Sequence, residues 1–337
     1  MKFGLFGGAI RRGATADSAA YREFESYVTE ADKLGFESVF LVEHHFSGIG
    51  QISSSLNYLS YLAAKTERIR LGTAVTVLPW HNPVLLAEEV ATLDLISGGR
   101  VDFGVGKGYR DIEFNGFAIP KEEAQERYDE ILAIMRQAWT STERFSVKTK
   151  RWRFDDIIVE PAPVQRPHPP LWTGAGTMES IARVARSGLN LLLDQYGSFD
   201  LTHRRIKAFQ DACAEVGRPY KPMEVGLTRP LVVTTSPAQT RDAIETRLKR
   251  SGAMEQFGRL PGLDGDRPAL SAGGAAVDDA AIIGEPHQVI ERLRALQSMG
   301  IDYVMMTAAG GIEGLRLFAR EVMSVMGEDR QKAKAAE

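Results

Sequence analysis

The chain has 337 residues, with 41 lysines and arginines against 44 aspartates and glutamates and a formal net charge of −3. A near-balanced charge with no long block of one sign excludes an electrostatic binder of nucleic acid or of anionic membrane. An apolar content of 44% suffices for a large core without staples, and one cysteine, Cys213, excludes an internal disulfide.

The opening MKFGLFGGAIRR holds an apolar run too short for a signal peptide, and no stretch approaches the ~20 apolar residues of a membrane span. A cytoplasmic protein is expected. KFGLFGG reads as a buried strand ending in glycines. Asp17 to Leu34 places Tyr21, Phe24, Val28, Ala31 and Leu34 at helical spacing, and Gly35 stops the helix. SVFLVE is the second strand and Leu56 to Lys65 the next helix. IRLGTAVTVLP is a β-branched third strand, followed by the helix HNPVLLAEEVATLDLISGGR, with Pro83 at its start and Gly98-Gly99 at its stop. VDFGVGKG is the fourth strand and KEEAQERYDEILAIMRQAW an amphipathic helix.

Residues 141–170 break the rhythm with a hairpin, FSVKTKRWRFDD, and a proline-rich connection. PLWTGAG is the fifth strand, followed by the helix TMESIARVARSG. NLLLD is the sixth strand; the helix after it contains Cys213, which reads as a buried helix residue rather than a reactive thiol. EVGLTRPLVVTT is the seventh strand, with Pro230 marking a bulge or an early end to pairing. Residues 251–284 are glycine-rich with little periodicity and read as a mobile lid. PHQVIERLRALQSMG is a helix, DYVMMTAA the eighth strand and GIEGLRLFAREVMSVM the last helix.

Eight strand–helix units with near-continuously apolar strands most simply close into an α/β (β/α)8 TIM barrel. An open doubly wound sheet is the alternative, and the lack of a shared unit pattern argues against a solenoid. The expected organisation is one barrel domain over 1–330, with the excursion at 141–170 before strand five, the lid at 251–284 after strand seven, and a frayed tail at 331–337.

In such a barrel the chemistry gathers at the C-terminal ends of the strands. Those ends carry Glu43, His44 and His45, Ala74 to Leu78, Gly106, Lys107 and Tyr109, Thr173 to Thr177, Asp194 and Gln195, Thr228 and Arg229, and Thr307 to Gly311. Successive strand residues point to opposite faces, so His44 and His45 do not ligate one ion, and no metal site is expected. A chemical role and a hydrogen-bonded strand end both fit one of these histidines; for His45 the second is preferred. LWTGAGTMES runs from strand through glycines into a helix, with Thr177 and Ser180 one turn apart and Lys107 as a nearby positive charge. It fits a phosphate cradle and equally a tight turn with an N-cap threonine. AAGG at 308–311 is a rival anion site. Arg229 fits either a ligand site or an internal pair with Asp194, and no nicotinamide-binding fingerprint is present.

The stretches MKFGLF, LGFESVFLVEHHF, LGTAVTVLP and SGGRVDFGVGKG, with the turn GAGTMES, resemble the bacterial-luciferase-like flavin monooxygenases. The resemblance covers about residues 1–200 well and the last strand and helix more loosely. It implies a two-component monooxygenase that takes reduced FMN from a separate flavin reductase and uses oxygen to oxidise a small organic substrate. It further implies that the flavin ring lies against Ala74 and Val75, joined by a cis peptide, with Gly106 beside them. Lys107, Ala175, Gly176, Thr177 and Ser180 take the phosphate, so this cradle is preferred to AAGG. His44 matches the histidine that serves the reduced flavin and its oxygen adduct, and Glu43 an acidic neighbour that organises the site and the dimer contact. A homodimer through EEVATLDLIS and the segment after EHHF is implied. Gly106 stands where light-emitting relatives carry a reactive cysteine, which argues against light emission and long-chain aldehydes. Phe6, Tyr109, Gln195, Arg229 and Phe257 are candidate pocket residues. The competing readings are a deazaflavin-dependent oxidoreductase and a non-catalytic flavin-binding protein.

Overall fold

The computed structural model of the chain describes residues 1–10, 16–48, 51–254, 279–307 and 309–327. The strands are β1 (Lys2–Gly7), β2 (Ser38–Leu41), β3 (Arg70–Thr73), β4 (Thr76–Val77), β5 (Val101–Gly106), β6 (Phe145–Lys148), β7 (Arg153–Ile157), β8 (Leu171–Gly174), β9 (Asn190–Leu193), β10 (Val225–Arg229), β11 (Leu231–Val233), β12 (Ile282–Gly284) and β13 (Tyr303–Met306). The main sheet runs β3-β2-β1-β13-β10-β9-β8-β5-β4, and β3 also pairs with β5. β3 and β4 are one barrel strand interrupted at Ala74–Val75, so eight strand positions close on themselves. The fold is a (β/α)8 barrel, and the open-sheet alternative is excluded.

The strand pattern differs from a plain reading at three places, two of them foreseen: the resemblance implied a cis peptide at Ala74–Val75, and Pro230 an early end to pairing. The third strand is not continuous: its pairing with β5 lapses between Thr73 and Thr76, where the Ala74–Val75 peptide is cis. The seventh strand leaves the barrel at Arg229. Pro230 has no N–H for the ladder, and Leu231–Val233 instead pairs in parallel with Ile282–Gly284 in a separate two-stranded sheet. The segment expected as a lid is structured at both ends: the helix Pro237–Met254 takes its first four residues, and β12 its last three. Residues 255–278, with Phe257, and the tail 331–337 lie outside the described residues.

The excursion forms as expected. β6 and β7 make an antiparallel hairpin with an irregularity between Phe145 and Val147. The proline-rich return contains cis peptides at Glu160–Pro161 and Arg166–Pro167.

The chain divides into two compact units. Residues 8–25 and 39–173 form one. Its core sets Phe40 edge-on to Trp172 at 5.5 Å and Phe103 edge-on to Trp139 at 6.0 Å. The N-terminal side of these strands is tied by charge. Arg70 grips Asp102 at 2.7 and 3.1 Å, Trp172 Nε1 donates to the same carboxylate, and Gln165 donates twice to buried Asp94. Arg100 donates to the carbonyls of Ala63, Ile69 and Ser97, closing the end of the helix Ser55–Ala63 and the turn after Pro83–Ile96. Residues 1–7, 26–38 and 174–337 form the other unit. There Phe318 meets Phe3 at 4.9 Å and Phe36 at 6.0 Å, and Cys213 is fully buried in the helix Phe199–Glu215, as expected. Burial pushes its thiol up, away from the reactive thiolate.

Next to the interruption, Thr73 Oγ1 donates to the Gly104 carbonyl and accepts the Gly104 N–H, at 2.7 and 2.9 Å. A Cβ at Gly104 would lie 1.9 Å from the Thr73 carbonyl oxygen. Backbone cannot step aside as a side-chain tip can, so Gly104→Ala is expected to cost about 3 kcal/mol or more. Gly174→Ala, whose Cβ would meet nothing within 4 Å, is expected to stay within about 0.5 kcal/mol. Urea midpoints compare the two. Equal midpoints would refute this account of the β3–β5 contact.

Candidate active site

Strand β2 ends at Leu41 and the chain runs on outside the strand through Glu43, His44 and His45 to Phe46, which adopts φ 56°. The two histidine rings take different partners. Glu43 and His45, two apart, meet each other: His45 Nε2 lies 3.3 Å from Glu43 Oε1. Glu43 is buried and also accepts from the Ser55 hydroxyl and N–H. The His45 ring is packed edge-on to Phe117 at 4.8 Å and to Trp80 at 5.8 Å. It is thus the hydrogen-bonded strand-end residue expected of it. His44 goes elsewhere. Its Nδ1 lies 3.0 Å from Oε1 of Glu113, a buried carboxylate on the six-residue helix Asp111–Gly116, and the His45 N–H donates to the same oxygen at 3.1 Å.

Glu113 was not among the residues picked from sequence. It lies 69 positions from His44, inside YRDIEFNG, and the only sequence signal was an acidic residue on an apolar helix just beyond the fourth strand. Burial works to raise its carboxyl, but the His44 side chain, the His45 N–H and nearby Arg110 outweigh burial and hold it below the usual carboxylate range.

In the same unit, Ala74 is buried and Val75 half-buried beside β4. A Cβ at Gly106 would come within 2.4 Å of Val75 Cγ2, so glycine there seats Val75. The Thr76 hydroxyl oxygen is buried without a partner. Lys107 is exposed, and its Nζ lies 3.2 Å from Gln125 Oε1. Burial lowers the ring pKa of half-buried His81.

In the other unit, β8 runs into Ala175, Gly176 and Thr177, and Thr177 caps the helix Met178–Arg186. The two hydroxyls read as ligand groups form a capping box: Thr177 Oγ1 accepts the Ser180 N–H at 3.2 Å, and Ser180 Oγ accepts the Thr177 N–H at 3.1 Å. The helix's first-turn N–H groups of Met178 and Glu179 have no intrahelical acceptor and point out of its end. The turn is a capped helix start. Gly310 and Gly311 of the rival AAGG segment start the last helix with φ of 74° each.

Asp194 and Arg229 are not paired by side chain as the sequence allowed. Asp194 takes Arg205, missed from the sequence, at 2.8 Å, and accepts the N–H groups of Tyr196 and Gly197. Arg229 donates to the carbonyls of Asp194, Thr228 and Gly197 and to the Thr202 hydroxyl. Burial pushes its guanidinium down to about 10, so it stays charged at neutral pH and serves the frame.

Among the described residues no group of three or more His, Cys, Asp or Glu is arranged to hold a metal ion, and no helix is long and apolar enough to cross a membrane. In the unit of residues 8–25 and 39–173 the residues present fit a flavin: a buried hydroxyl at Thr76 with no partner among the described residues, and an exposed ammonium at Lys107.

Comparison with known proteins agrees with that fit. The chain is 26% identical over 326 residues to the FMNH2-dependent dimethylsulfone monooxygenase of Pseudomonas putida, covering 91% of this chain and 88% of the relative. It is 25% identical over 321 residues to the oxygenase component of the flavin-dependent trigonelline monooxygenase of Acinetobacter baylyi, covering 90% and 87%. The monooxygenase RslO1 of Streptomyces bottropensis shares the fold at a TM-score of 0.84 and 24% identity, over 97% of this chain and 100% of that one. An F420-dependent secondary alcohol dehydrogenase shares it at 0.75 and 17%, over 96% and 98%. The family model described as luciferase-like monooxygenase matches residues 1–303, and the chain belongs to that family.

Proposed function

We propose that this protein is the oxygenase of a two-component system in the cytoplasm: it takes reduced FMN from a separate flavin reductase and oxidises a small organic substrate with oxygen. The observation that carries this reading is His44, held by a buried carboxylate at the end of a barrel strand, in a chain of the luciferase-like family. Two relatives named for FMNH2 and for an oxygenase component support the flavin and the separate reductase. Reduced FMN supplies the electrons when bound. As the family resemblance assigns them, Ala74, Val75 and Gly106 would line its ring, and Lys107, Ala175, Gly176, Thr177 and Ser180 would receive its phosphate, the last two chiefly by keeping the helix end in place. His44 accepts and returns a proton. Glu43 acts indirectly, by fixing His45 and Ser55. The protein works as a homodimer. Leu85, Leu95 and Ile96 on the helix Pro83–Ile96, with Tyr61, Phe46 and Ile112, are large apolar side chains left exposed in one unit, as an interface between copies requires.

A second reading, hydride transfer with a deazaflavin, is favoured by the F420-dependent neighbour of the same fold. Oxygen uptake decides between them. Added reduced FMN should be oxidised with oxygen consumption coupled to product once a substrate is supplied. Turnover with reduced deazaflavin, at the same rate with and without oxygen, would replace the proposal with the second reading.

A further inference from the structure

We propose that Glu113 is the positioning residue for His44: its carboxylate holds the hydrogen on Nδ1 and so leaves Nε2 bare as the proton acceptor. The inference rests on the reading of His44 as the proton-handling group and goes beyond it by fixing which nitrogen works.

The Glu113 side chain is 3% exposed and that of His44 14%. Glu113 Oε1 faces two nitrogens, His44 Nδ1 at 3.0 Å and the His45 backbone nitrogen at 3.1 Å. The backbone nitrogen is always a donor, so this oxygen is fixed as an acceptor. An ionised carboxylate has no hydrogen to give, and the one in the contact with His44 therefore sits on Nδ1. A neutral imidazole carries one N–H, so Nε2 is left with its lone pair. Nε2 makes no hydrogen bond among the described residues. The other acid–histidine pair does not share this arrangement. His45 uses Nε2 on Glu43, and its ring is closed in by Phe117 and Trp80. The same carboxylate also clamps the main chain at His45, so Glu113 sets both the tautomer of His44 and the path of the segment that carries it.

Glu113→Leu keeps much of the volume but removes the acceptor. A glutamine would not serve as the test, because its amide oxygen can go on accepting from both the His45 N–H and Nδ1. Without an acceptor at Nδ1 the neutral ring returns to its intrinsic preference for hydrogen on Nε2, the wrong nitrogen for a base. The expected result is a fall in kcat of about 10²-fold or more, with KM for reduced FMN within about two-fold. Nitrogen-15 spectra of histidine-labelled protein should show His44 protonated at Nδ1 in the wild type and at Nε2 in the variant. A purely structural role for Glu113 would not move the tautomer. If the variant fails to fold, the wild-type spectrum still decides: neutral His44 with its hydrogen on Nε2 overturns the proposal. An inactive His44→Ala beside a fully active Glu113→Leu would overturn this inference alone, whereas a fully active His44→Ala would overturn the reading beneath it.

Discussion

His44→Ala is expected to bind reduced FMN within about two-fold of the wild type and to lose about 10²- to 10⁴-fold in substrate oxidation, the usual worth of a placed acid–base group. The first half follows from placement. His44 is a half-buried side chain whose one hydrogen bond is to Glu113, and the flavin contacts are assigned to other residues. The second half follows from the proton inventory: at the end of β2 His45 has its Nε2 on Glu43 and its ring packed against Phe117, which leaves His44 as the histidine placed for the chemistry. Anaerobic binding of reduced FMN and turnover with oxygen, measured on the same preparation, test both halves. Full turnover by the variant would remove His44 from the chemistry.

Asp194→Ala is expected to destabilise the protein by about 3–5 kcal/mol, the cost of leaving a buried cation unpaired. Arg205 is 1% exposed and, among the described residues, its Nε and Nη2 lack partners and its ion pair is with Asp194. The same carboxylate also holds the Tyr196 and Gly197 N–H groups, which start the turn into the helix Phe199–Glu215. The double variant Asp194→Ala/Arg205→Leu should recover much of the loss, because an apolar pair carries no desolvation penalty. Urea unfolding of the three proteins at pH 7 reads the pattern. A single variant as stable as the wild type would show that water reaches Arg205.

The barrel was legible in the sequence because its strands are short apolar runs spaced by helices with readable stops, such as Gly35 and Gly98-Gly99. Pro230 announced its effect through its missing N–H, though not where the chain went next: pairing β11 with β12 joins residues some fifty positions apart, beyond any local signal. The interruption at Ala74 was expected only through the family resemblance, since nothing in GTAVTV departs from a plain β-branched strand.

At the site, period-two alternation separated His44 from His45, but the pairing of Glu43 with His45 was not read from it. Glu113 and Arg205 escaped because their partners are set by the fold: one pairs across 69 positions, and the other sits in an unremarked helical stretch. Thr177 and Ser180 were legible as a turn. Spacing did not show that both hydroxyls are used within the turn, as the capping box has them.

The most direct test of the central claim is anaerobic titration of the protein with reduced FMN, followed by mixing with oxygen in a stopped-flow spectrometer. A two-component oxygenase should bind reduced FMN and then hold a long-lived species whose spectrum is neither that of reduced nor that of oxidised FMN, decaying faster when a substrate is present. Failure to bind reduced FMN, or its single-step conversion to free oxidised FMN and peroxide, would contradict the account.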